Sequence, residues 1–129
     1  MAKNPDEWMK QAEYDMETAE YLYEGGRPFY SVFMCHLSLE KALKGIHQKK
    51  FNVIASSINN LPYLIEKVQL QLPEEFSDTI ASLNRMRVFP YYPDNLQKML
   101  DGYDKEKMRE VITQSRKALK WLKTMEKGT

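Results

Sequence analysis

After Pro28, apolar residues recur at Phe29, Val32, Phe33, Leu37, Leu39, Ala42, Leu43 and Ile46, a helical spacing that covers more than half of the helix circumference. A helix so widely apolar cannot lie on a surface with one face in water; it belongs at the centre of other helices. Pro28 is suited to its first turn, where no backbone amide is needed. The rest of the chain supplies the surroundings. Asn4-Pro5-Asp6-Glu7 reads as a capped helix start, followed by the stripe Trp8, Ala12, Met16, Ala19, Leu22 and Tyr23 and ended by Gly25-Gly26. Asn60-Leu61-Pro62 and Leu72-Pro73-Glu74-Glu75 start two short helices, carrying Leu64, Ile65 and Val68 and then Phe76, Ile80 and Leu83. Asp104 caps a last helix with Met108, Val111, Ile112, Ser115, Leu119, Leu122 and Met125. The spacing therefore predicts an all-α chain, an up-and-down bundle of about five helices around a four-helix core.

Two stretches resist this pattern. Lys49 to Asn60 loses the period and reads as a connecting loop, with Phe51, Val53 and Ile54 expected to anchor part of it. Pro90 and Pro93 bracket Tyr91-Tyr92 and forbid a regular helix there. With 129 residues and 43% hydrophobic composition, one domain spanning 1–129 is expected. The 19 basic and 18 acidic residues leave a net charge of +1, so any attraction to nucleic acid must come from a local patch. One cysteine, Cys35, and a start without an apolar run predict a cytoplasmic chain. No apolar stretch approaches the ~20 residues needed to span a bilayer, and no membrane partner is expected.

The chemistry-bearing residues concentrate on the second helix. His36, Glu40, Lys44 and His47 fall within about 80° of one another, since each residue advances by about 100°. Glu40 and Lys44 are in the favourable order for an i to i+4 ion pair. Such a stripe is either a paired structural feature or a contact for phosphate or nucleotide, with Lys44 giving charge and His36 a donor. Two histidines and one carboxylate spread over three turns, without His-x-x-x-His spacing, make a poor metal set, and no metal or cofactor is expected. Arg85, Arg87, Tyr91 and Tyr92, beside Asp94, place cationic and aromatic groups by a proline loop, able to hold phosphate and stack a base. The alternative is that the tyrosines pack on the bundle and the arginines are solvated or pair with Asp94. Cys35, amid apolar neighbours, is read as core.

The residues Gln11-Ala12-Glu13-Tyr14-Asp15 with Ala19, the run Phe33-Met34-Cys35-His36-Leu37-Ser38-Leu39-Glu40-Lys41-Ala42-Leu43-Lys44, and Tyr92-Pro93-Asp94 together resemble HEPN domains. The most specific part is Glu40-Lys41-x-x-Lys44. The resemblance implies a helical bundle, usually a homodimer, often paired with a minimal nucleotidyltransferase in a toxin and antitoxin couple, with nucleotide or RNA as ligand. It adds Lys41 and Asn59 to the candidates, Asn59 standing where related members carry a His before the third helix. Active ribonucleases of the family carry Arg followed four to six residues later by His and need no metal. Here Arg85 and Arg87 lie in a matching place, but no His follows His47, and Tyr91 or Tyr92 takes its position. The resemblance thus implies a binding or interaction protein with a degenerate nuclease motif. Its rivals are an endoribonuclease with a non-standard site and a non-catalytic homodimeric scaffold.

Overall fold

The computed structural model describes residues 4–55, 57–86 and 94–129. Its helices are α1 (Pro5–Glu24), α2 (Pro28–Phe51), α3 (Leu61–Lys67), α4 (Ser77–Met86), α5 (Leu96–Gly102) and α6 (Lys105–Lys127), with a 3₁₀ turn at Glu74–Phe76 before α4. Among the described residues there is no strand. The caps are those the sequence predicts: Asn4, Asn60 and Asp104 accept backbone amides of Asp6, Tyr63 and Lys107 at 2.8, 2.9 and 2.8 Å. Two elements differ from expectation. Helix α2 runs on to Phe51, where Asn52 closes it in a left-handed conformation (φ 58°). Helix α5, capped by Asn95, is an element the sequence reading does not predict; it buries no residue, although Leu96, Met99 and Leu100 follow helical spacing.

Helix α2 is central, as its apolar circumference requires. It packs antiparallel on α1 along a seam of small residues, each seven apart on its own helix: Ser31, Ser38 and Gly45 on α2 meet Ala19, Ala12 and Pro5 on α1. The Ser31 and Ser38 hydroxyls donate to the Ala19 and Ala12 carbonyls, both at 2.6 Å. Their buried oxygens are thereby satisfied without holding the backbones apart. The 3.5-residue repeat keeps the seam in register along both helices. The core beside it consists of Met16, Leu39, Leu43, Ile46, Leu61, Leu64, Leu83 and Leu119, each less than 2% exposed. Cys35 lies fully buried within it. Burial pushes its thiol up to about 12, leaving no thiolate for chemistry at neutral pH.

Helix α6 runs antiparallel to α1 and is tied to it by charge. Arg116 donates to Glu20 through Nε and Nη2 at 3.0 and 2.7 Å and to Glu13 through Nη1 at 2.9 Å, and Lys123 also pairs with Glu13. Burial pushes the Glu13 carboxyl up, but hydrogen bonds from Lys123 and Arg116 outweigh it and hold the group below its ordinary value. A carboxylate with a depressed folded value stabilises the fold above its unfolded value of about 4.3, and the gain is lost as pH falls through the folded value. Urea unfolding between pH 7 and 3 is therefore expected to show falling stability below about pH 4. Glu13→Gln should flatten that limb and cost on the order of 1 kcal/mol at pH 7.

Candidate functional site

With each residue turning the helix by about 100°, the small-residue seam of α2 and its polar stripe occupy opposite faces. One side of α2 is pressed against α1, and the other is left to line a cleft of ≈ 450 Å³. Tyr30, Phe33, Met34 and Leu37 of α2 and Leu22 of α1 form its apolar wall, with His36, Glu40 and Asn59 as its polar groups. Phe33 and Leu37, expected in the core, are only half-buried. Tyr30 is 47% exposed. The sequence reading does not single out this wall. The signal that could have found it is the excess of apolar positions on α2 over what its neighbours can cover.

The stripe itself is a chain of contacts. Glu40 Oε1 stands 3.6 Å from His36 Nδ1, and its Oε2 accepts a hydrogen bond from Lys44 Nζ at 2.8 Å. His36 and Lys44 are buried, and the Glu40 side chain is only 14% exposed. The acid is thus shared between a ring nitrogen and an ammonium within one helix face. Among the described residues no three His, Cys, Asp or Glu side chains gather as a metal would require.

The other candidates go different ways. His47 leaves the stripe's function behind: its Nδ1 donates to the Val53 carbonyl at 3.1 Å and its ring meets Phe51 at 5.0 Å, so it fastens the loop after α2. Since a carbonyl can only accept, that bond puts the proton on Nδ1. Lys41 turns to α1 and pairs with the buried Asp15 at 2.9 Å. Asn59 is exposed and lines the cleft. Arg85 is exposed at the end of α4, where Nη2 donates to Ser82 Oγ at 3.3 Å. It is not a lining residue of the cleft. Its charge reaches Tyr103, whose phenol burial pushes up to about 12, and which packs edge-on against Phe29 at 5.0 Å. Asp94 is exposed ahead of α5. Among the described residues Arg85 and Asp94 form no ion pair with each other. Arg87, Tyr91 and Tyr92, with Pro90 and Pro93, lie outside the described residues.

Chemically, the cleft offers an acceptor carboxylate, an imidazole, an amide and an aromatic wall within one opening. Its volume lies in the usual range for small-ligand sites. No helix among the described residues is long and apolar enough to cross a membrane. A model of the HEPN domain family matches residues 5–125. Among solved structures, the chain is similar to ST0689, an archaeal HEPN homologue, with 25% identity and a TM-score of 0.75 over 97% of this chain and 99% of that one. It is also similar in fold to TT1696 from Thermus thermophilus, at 17% identity and a TM-score of 0.77 over 95% of this chain and 98% of that one. No curated protein matches it in sequence.

Proposed function

The chain belongs to the HEPN domain family, and from that premise we propose that it is a single-domain nucleotide- or RNA-binding protein that takes its ligand in the α2 cleft. The observation that carries this reading is the His36–Glu40–Lys44 chain, largely buried yet lining or adjoining an open, apolar-walled cleft. Desolvating an acid and an ammonium together contributes little to stability, because what the pair gains by attraction it gives up in hydration. A ligand with donors and acceptors of its own gives the pair a use. Glu40 can accept from a base amino group or ribose hydroxyl, Asn59 can read a base edge, and Tyr30 or Phe33 can flank a base. Phosphate falls to Lys44 and, where the ligand extends, to Arg85.

The protein acts as a homodimer and as the partner of a minimal nucleotidyltransferase in a toxin–antitoxin-like couple, with no strong catalysis of its own. What supports the dimer is family membership. The test is a titration of purified protein against ATP, other nucleotides and short single-stranded RNA, with RNA integrity checked in each sample. Saturable binding with intact RNA, weakened roughly tenfold by Asn59→Ala, is the expected result. RNA cleavage abolished by Arg85→Ala would replace it with a nuclease. Neither binding nor cleavage would leave a scaffold.

A further inference from the structure

The loop after α2 presents its apolar residues to solvent, against expectation: Phe51, Val53 and Ile54 are 40, 56 and 52% exposed. They do not anchor the loop. It is held from beneath instead, by the Asn52 amide on the Gln48 carbonyl at 2.7 Å and by His47 on the Val53 carbonyl at 3.1 Å. Asn52 tolerates the left-handed turn that swings the chain outward. Side chains held out in this way keep roughly half of their apolar surface in water, and contiguous exposed apolar surface marks a contact site. Together with His47 and Lys67 these residues line an open concavity of ≈ 550 Å³, distinct from the cleft above.

Lys67 is the charged side chain among its lining residues, and Lys50 lies against the Phe51 ring. Lys50 Nζ donates to the Val68 carbonyl at 2.9 Å and sits 5.7 Å from the Phe51 ring centre, and Lys67 Nζ lies 5.6 Å from the Tyr63 ring centre. Among the described residues neither ammonium has a carboxylate within ion-pair distance, whereas neighbouring Lys49 is matched by Glu126. We infer that this concavity is a docking site for a protein segment that is both apolar and acidic, its aliphatic or aromatic side chain seated against Phe51, Val53 and Ile54 and its carboxylates facing Lys50 and Lys67. Single-stranded nucleic acid fits less well, because it needs a basic groove along its backbone and the lining holds one lysine. A bilayer fits less well, because it takes a convex insertion rather than a hollow.

The site is tested on the whole protein by amide chemical-shift mapping with a synthetic peptide alternating Leu or Phe with Glu. Shifts are expected at Phe51, Val53, Ile54 and Lys67, with affinity lowered about tenfold by Ile54→Ser and by Lys67→Glu. The Lys67→Glu protein is also expected to favour the same peptide with Lys in place of Glu. Equal binding of both peptides by the parent protein, or no shifts at millimolar peptide, overturns the inference. So does a response confined to phosphatidylserine vesicles or to oligouridine. Because the two openings are lined by different residues, loss of nucleotide binding in the α2 cleft leaves this outcome unaffected.

Discussion

Replacing Glu40 with Leu alone is expected to destabilise the protein by about 3 kcal/mol, while Glu40→Leu with Lys44→Met together returns stability to within about 1 kcal/mol of the parent. The reasoning starts from burial: the two side chains are 14 and 11% exposed and meet at 2.8 Å. Removing the acid leaves the Lys44 ammonium in a poorly hydrated position with nothing to offset its charge. Removing both leaves two unbranched or γ-branched side chains of good helix propensity that fill a similar volume. Urea midpoints for the parent, both single variants and the double variant close the cycle and give the coupling energy. The same double variant should bind nucleotide roughly tenfold more weakly or worse, since the cleft loses its acceptor and the cation adjoining it. Stability kept while binding is lost means the stripe serves a ligand. Binding kept would reduce it to a helix-register device.

Gly45→Val is expected to lower stability by about 3 kcal/mol and the melting temperature by about 10 °C, and Gly45→Ala to cost about 1 kcal/mol. A Cβ at this position would lie 2.8 Å from the Trp8 Cβ and 3.3 Å from the Pro5 carbonyl oxygen. Neither atom is the free end of a flexible side chain, so the start of α1 must move. Alanine partly offsets the clash through its better helix propensity, about 1 kcal/mol over glycine. Valine adds two methyl groups and restricted rotamers and has no such compensation. The Trp8 indole donates to Gln48 Oε1 at 2.7 Å, so tryptophan fluorescence should report the displacement directly in a thermal melt. The α1 residue of the cleft, Leu22, lies at the other end of that helix from Pro5 and Trp8, and variants that still fold should retain nucleotide binding.

Helix starts, the central place of α2 and the Glu40–Lys44 pair were legible because each depends on residues within a few positions: a capping Asn or Asp, an apolar period, an i to i+4 order. The contacts that close the bundle depend on residues far apart in the chain. Lys41 reaches Asp15, and Arg116 joins Glu13 to Glu20, pairings that no local spacing announces. The α1–α2 seam was hidden for another reason. An apolar reading follows large residues, whereas close approach of two helices is carried by Ser31, Ser38 and Gly45, which score as polar or neutral. Lys41, a candidate by resemblance, is drawn away from the cleft by its ion pair, and His47 by its loop. His36, Glu40 and Asn59 are the candidates that the fold brings to one opening.

The most direct measurement is an amide and histidine-ring NMR titration of the full chain with ATP. Saturable shifts at His36, Glu40 and Asn59, with the His36 ring moving and the Phe51 to Ile54 loop still, are what the α2 cleft predicts. No shift at millimolar ATP, or shifts confined to Phe51, Val53 and Lys67, would contradict it.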